Sequence, residues 1–159
     1  MATDTFLKTG DIKGDSIDSR HVGEIEVLSW SWGVTQTGST VGSGGGKHRV
    51  HFNDFSFTHH VDRASPHLMT ACATGEHLKE AILTVRKAGK GQQEFLVVTM
   101  SDVIVTSVLP AGRDGEDALF EQASLQFAKV DLEYKPQKPD GSLDAGIHFK
   151  FNIKGNKKG

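Results

Sequence analysis

Along most of the chain apolar and polar side chains alternate with a period of two, as strands with one face in a core require. The clearest case is Leu143–Ile153, where Leu143, Ala145, Ile147, Phe149, Phe151 and Ile153 alternate with Asp144, Gly146, His148, Lys150 and Asn152. Glu94–Val108 is apolar at odd and even positions alike, which predicts a long strand covered on both faces. In Ala118–Tyr134 the apolar phase changes between Leu125/Phe127 and Val130/Leu132/Tyr134, so a bulge is expected near Ala128 and Lys129. Similar phase changes fall within Glu24–Val34 and at Asn53–Asp54. Long strands with repeated bulges predict a strongly curved sheet, closed or nearly closed into a barrel.

The connections agree with that pattern. Lys87–Gln92 (KAGKGQ) and Pro139-Asp140-Gly141 carry the Gly and Pro chemistry of tight reversals. Thr35–Gly46 (TQTGSTVGSGGG) is longer than a hairpin needs, and its run of Gly38, Ser39, Thr40, Val41, Gly42, Ser43, Gly44, Gly45 and Gly46 marks a functional or disordered loop. One segment breaks the strand pattern. Ser65 as N-cap, Pro66 in the first turn and Gly75 just past the end predict a short helix over His67–Thr74. At about 100° per residue, Leu68, Met69, Cys72 and Ala73 form its expected inner face, with His67, Thr70 and Thr74 outside. In the strand motif WSW, Trp30 and Trp32 share one face and Ser29 and Ser31 the other; the indoles are expected in the core or an interface.

Composition narrows the function classes. At 159 residues the chain is one domain by length, long enough to fold without a staple. A net charge of −2 and a pI near 6.4 argue against a nucleic-acid binder, which needs a clear Lys/Arg excess. A lone Cys72 forms no internal disulfide. The N-terminus has acids and glycine where a signal peptide carries a basic region and an apolar run, Ala2 breaks the myristoylation pattern, and no apolar stretch is long enough to span a bilayer. The expectation is a cytoplasmic protein without membrane insertion, which some machine must carry if it leaves the cell.

Catalytic and metal chemistry find no template. Thr58–His77 (THHVDRASPHLMTACATGEH) gathers four histidines and the cysteine. His59 and His60 are neighbours in a strand and point to opposite faces, as do His48 and His51, and the paired spacings of a zinc site are absent. Surface histidines beside a helix are expected, titrating between pH 5 and 8 as interface groups at His59, His60, His67 and His77. The GGGK at Gly44–Lys47 lacks the other phosphate-loop positions, because Val41 and His48 stand where Gly and Ser or Thr are required. Asp114, Glu116 and Asp117 read as a solvated acidic loop. No catalytic residue, metal or cofactor is therefore expected. On the residues alone, two alternatives to a structural protein stay open: a monomeric ligand-binding β-barrel and a His-dependent metalloenzyme.

Four segments carry a resemblance: VGEIEVLSWSWGV at Val22–Val34, VDRASPHLMTACATGEH at Val61–His77, ILTVRKAG at Ile82–Gly89 and KPQKPDGSLDAG at Lys135–Gly146. In this order, over essentially the whole chain, they are similar to the haemolysin-coregulated protein (Hcp) family of bacterial type VI secretion systems. The resemblance implies a mainly β protein, a curved antiparallel barrel of two sheets with one short α-helix, spanning residues 1–159 as a single domain. It also implies a homohexameric ring, rings stacked into a hollow inner tube, ejection with a spike protein by a contractile sheath, and small secreted effectors carried in the lumen. On that model Ser31 and Ser29 are the candidate lumen residues, and the Gly38–Gly46 loop is the candidate arm between subunits or rings. Lys150, Lys154, Lys157 and Lys158 give the C-terminal end a positive charge suited to the Asp114–Asp117 loop of another copy.

Overall fold

A computed structural model describes residues 2–38, 49–89 and 91–159. The elements in chain order are β1 (Thr3–Thr9), β2 (Ile25–Glu26), β3 (Ser29–Ser31), β4 (Val34–Gln36), β5 (Val50–Phe52), β6 (Phe55–His60), α1 (Ala64–Thr74), β7 (His77–Lys87), β8 (Glu94–Ala111), β9 (Phe120–Tyr134), β10 (Ile147–Asn152) and β11 (Lys157–Lys158). The protein is mainly β with a single helix among the described residues, as expected. The strands β11-β10-β9-β8-β7-β1-β2 run side by side in one antiparallel sheet, which β3 and β6 bring to 9 strands through a ladder between β6 and β9. The strands β4 and β5 form a separate pair.

The sheet curls without closing into a continuous ladder. The expected strand over Glu24–Val34 is instead three short ones, because the chain changes partner twice. Its first part pairs with β1, its second with β6 and its third with β5. The first change of partner coincides with the phase flip between Val27 and Trp30, and the flip at Asn53–Asp54 is likewise a break between β5 and β6.

The two long strands form the wall to which everything else attaches. Burial in β9 changes phase where expected, from Phe127 to Val130. The register, however, is unchanged across that point: the ladder only skips the pair Asp102/Ala128, where Asp102 takes a left-handed φ of 54°. The extra residues lie on β8 instead, at Thr106 opposite β9 and at Phe95 opposite β7. Two bulges and one left-handed residue in the same strand bend the wall around a core of Leu7, Ile25, Phe55, Phe57, Leu83 and Leu125, all buried.

The helix departs from expectation at its start and on its face. It begins at Ala64, with Arg63 at the N-cap position making no side-chain cap bond. Asp62 Oδ1 accepts the Ala64 N–H at 2.8 Å, and Ser65, buried in the first turn, accepts the Asp62 N–H at 3.1 Å. Pro66 thus still falls where its missing N–H costs nothing. The inner face is Ala64, Ser65, Leu68 and Ala71, with Cys72 half-buried against the core; Met69 and Ala73 are exposed. The helix packs on β8, where the small side chains Ala64 and Ala71 permit close approach. It stops as expected at Gly75, whose φ of 68° lets the following Glu76 N–H reach Ala71 O at 3.1 Å.

The loop from Asp11 to Glu24 is pinned to β7 by Arg86. This buried guanidinium donates to Asp18 Oδ2 at 2.5 Å and to Asp4 Oδ2 at 3.3 Å, and lies 4.8 Å from the Phe6 ring centroid. The Arg86 hydrogen bond holds the Asp18 carboxyl well below its ordinary value, at about 2.

Candidate assembly surfaces

Two surfaces of the wall differ from an ordinary solvated exterior, and both follow from which strand pairs with which half of β9. The first half, Phe120–Leu125, pairs with β6, which in turn pairs with β3. Register then aligns a row of serines across four strands, Ser31 on β3, Ser56 on β6, Ser124 on β9 and Ser107 on β8. The neighbouring row is Ser29, Thr58, Gln122 and Leu109. Residues aligned across a sheet point to the same side, so these rows make one face of hydroxyl and amide groups, bordered by the exposed Leu109. Ser29 Oγ and Thr58 Oγ1 lie 2.5 Å apart, and Thr106 Oγ1 donates to Asp54 Oδ2 at 2.8 Å while standing 2.7 Å from Ser124 Oγ.

The opposite sides of the same strands face the core. Trp30 stacks on Phe55 with ring centroids 5.9 Å apart, and Trp32 lies 6.0 Å from Phe52 in a group that includes Phe127 and Phe149. Both indoles are half-buried, while Ser29 and Ser31 are exposed.

The second half of β9 pairs with β10. Here the polar side chains of β10 meet their counterparts: His148 Nδ1 lies 2.8 Å from Asp131 Oδ1 and His148 Nε2 lies 3.1 Å from Glu133 Oε2. The apolar side is completed only in part, by Trp32, Phe52 and Phe151 around Phe149. Ile147 is 65% exposed, Tyr134 46% and Phe149 38%, although they occupy the phase the alternation assigns to a core. Alternation assigns this strip to an interior, because pattern alone does not separate a face covered by its own chain from one left open.

The histidines sort differently from expectation. His60 and His67 are exposed, but His59 is fully buried and is no surface group. Its Nε2 lies 2.8 Å from Glu121 Oε1, itself buried, and its Nδ1 lies 3.8 Å from Asp62 Oδ2. Burial alone would lower the imidazole pKa; the Asp62 and Glu121 carboxyl groups outweigh it and hold the value above the ordinary one. The partner of His59 was missed because it lies 62 residues away in sequence. His77 Nδ1 lies 2.8 Å from Asp102 Oδ1 at the surface. Among the described residues no three His, Cys, Asp or Glu side chains converge as a metal site would require.

In the glycine-rich loop, Gly38 is half-buried with its N–H donated to Gln36 Oε1 at 3.1 Å. Ser39, Thr40, Val41, Gly42, Ser43, Gly44, Gly45 and Gly46 lie outside the described residues.

Comparison with known proteins places these surfaces in a family. Residues 6–134 match the family model described as type VI secretion system effector, Hcp. The chain is 48% identical over 159 residues to Protein hcp1 of Pseudomonas aeruginosa, covering 98% of both. Among solved structures it superposes on Hcp1 from Salmonella typhimurium with a TM-score of 0.80 at 40% identity, covering 99% of each chain. A structure titled as a type six secretion system protein gives a TM-score of 0.91 at 25% identity, with 99% of this chain and 100% of that one covered. The chain belongs to the Hcp family of type VI secretion system proteins.

Proposed function

We propose that the chain is the repeating subunit of the type VI inner tube. Six copies close into a ring, rings stack into a hollow tube, and the contractile sheath expels the tube with its spike. Secretion then needs no signal peptide, since the machine moves the folded protein. The observation that carries this reading is the apolar strip of Tyr134, Ile147 and Phe149 on a chain whose own core is already complete. Apolar side chains left exposed side by side on paired strands mark a protein–protein contact. A ring of identical subunits needs two different surfaces that meet with a closing rotation, and the strip supplies one of them.

The hydroxyl face supplies the lumen. Small hydroxyl and amide groups such as Ser29, Ser31, Thr58 and Gln122 keep a wall wettable and offer weak hydrogen bonds to varied effectors in transit. The Gly38–Gly46 loop is the arm toward a neighbouring subunit or ring. Light scattering behind size-exclusion chromatography tests the ring: the expected mass is six times 17.2 kDa, and a monomer at every concentration refutes it. Replacing Ser31 with Gln tests the lumen. A resident effector is expected to lose retention and export while ring mass is unchanged; normal export removes Ser31 from the lumen.

A further inference from the structure

Between the two halves of β9 the sheet splits, and the split leaves an open groove of about 600 Å³. Strand β6 leaves the edge of β9 at Leu125, and β10 joins it at Lys129. In the gap, Ala128 O accepts the N–H groups of Ile153 and Lys154 at 2.7 and 3.2 Å, which seats the β10–β11 turn on one side. The β5 strand stands on the other side, and the left-handed Asp102 of β8 bends the floor. Phe52, Ile104, Phe127 and Ile153 give the groove an apolar base, while Arg49 and Lys154 stand at its rim. Among the described residues neither cation has a carboxylate within salt-bridge distance, whereas the one acid of the lining, Asp102, is engaged by His77.

One element of the same chain has the inverse character. The β8–β9 connection is exposed over residues 111–117, with Asp114 and Asp117 unpaired among the described residues and Glu116 held only by Arg113 at 3.5 Å. At its base Leu109 is 59% exposed, Leu119 52% and Phe120 42%. It therefore presents apolar side chains behind an acidic tip, where the groove presents an apolar floor behind a basic rim. The volume of the groove is in the range of about 300–1,000 Å³ that takes a small group of side chains. It suits a loop tip and is too small for a domain.

We propose that the groove receives the β8–β9 loop of a second copy of this chain. The inference rests on the tube reading and specifies one of its head-to-tail contacts: residues 109–120 of one subunit against Arg49 and Lys154 of the next. Because loop and groove are different surfaces of one chain, the contact is heterologous and propagates from copy to copy. Opposite charges across it fix the direction of assembly, since two grooves or two loops repel.

Charge reversal tests this without touching the core. One variant carries Arg49→Glu with Lys154→Glu, and the other carries Asp114→Lys with Asp117→Lys; circular dichroism checks that both retain the fold. Each alone places like charges at every contact, and self-association measured by sedimentation equilibrium is expected to weaken at least about tenfold. Mixed in equal amounts, the two variants can alternate, with opposite charges restored at every contact, and the assembled species is expected to return. Wild-type association by both variants overturns the proposal. So does a mixture that stays dissociated, or a groove variant that fails alone while the loop variant associates normally, which would give the groove to the chain's own glycine-rich segment or to another partner. A wild-type protein that never exceeds monomer mass overturns the tube reading itself, and the inference with it.

Discussion

The two halves of β9 obey the same alternation and end in opposite situations. From Phe120 to Phe127 the inward side chains Glu121, Ala123, Leu125 and Phe127 are buried, with β6 paired along the edge and the core of the same chain beneath. From Val130 to Tyr134 the inward phase starts buried and opens outward, so that Tyr134 and its β10 neighbours Ile147 and Phe149 stand exposed. The first half is finished by its own chain, even to the point of enclosing an ionisable pair. The second is left open by its own chain, and on the proposed tube reading a partner finishes it. On that reading the strand is shared between core and interface, and ring contacts are tied rigidly to the fold, because displacing β10 would disturb the wall that holds the core.

The largest effect is expected in the first half. Replacing His59 with Ala leaves the buried Glu121 carboxyl group without its partner, and the loss for breaking a buried pair in this way is about 3–5 kcal/mol. Urea denaturation reads it directly, and a change under 1 kcal/mol would show that water reaches Glu121 through the Asp62 turn. In the second half, Ile147→Asp is expected to leave the unfolding free energy of the monomer within about 0.5 kcal/mol. Association should instead lose about 2 kcal/mol or more if Ile147 sits at the centre of the contact. Sedimentation of the variant at several concentrations separates the two quantities.

Proton linkage sharpens the contrast further. His59 has a folded-state pKa above its ordinary value of 6.5. Its contribution to stability is therefore complete below the unfolded value and is lost as pH rises through the folded one. The depressed Asp62 contributes in the other direction, with stability present above 3.8 and lost as pH falls through its lower folded value. Melting temperature should thus decline on the alkaline side, and His59→Gln should flatten that decline. The interface role expected of His59 does not hold, because its side chain is fully buried within its own chain.

Much of the first half could be read from residues. The phase change after Phe127, the stop at Gly75 and the sides taken by Trp30 and Ser31 all follow from local periodicity or from one residue's backbone preference. The helix face was harder, since Leu68, Met69, Ala71, Cys72 and Ala73 are all apolar or small and leave a wheel almost no polar side to orient it. Packing on β8 then selects the face with Ala64 and Ala71. Three further features lie beyond local pattern. The pairing of His59 with Glu121 joins residues far apart in sequence, the partner changes between Ile25 and Gln36 look like irregularities of one strand, and the exposed strip of β10 has the alternation of a core. What distinguishes Ile147 from Leu125 is whether the same chain covers it, which local alternation does not record.

Amide hydrogen exchange at two protein concentrations tests this account most directly. On passing from dilute monomer to assembled protein, amides of Ile147–Asn152 should slow markedly, while those of Phe55–His60, already sealed by their own chain, should not change. Equal exchange of Ile147–Asn152 at both concentrations, in a sample whose mass shows assembly, would contradict the claim that another copy completes the second half of the wall.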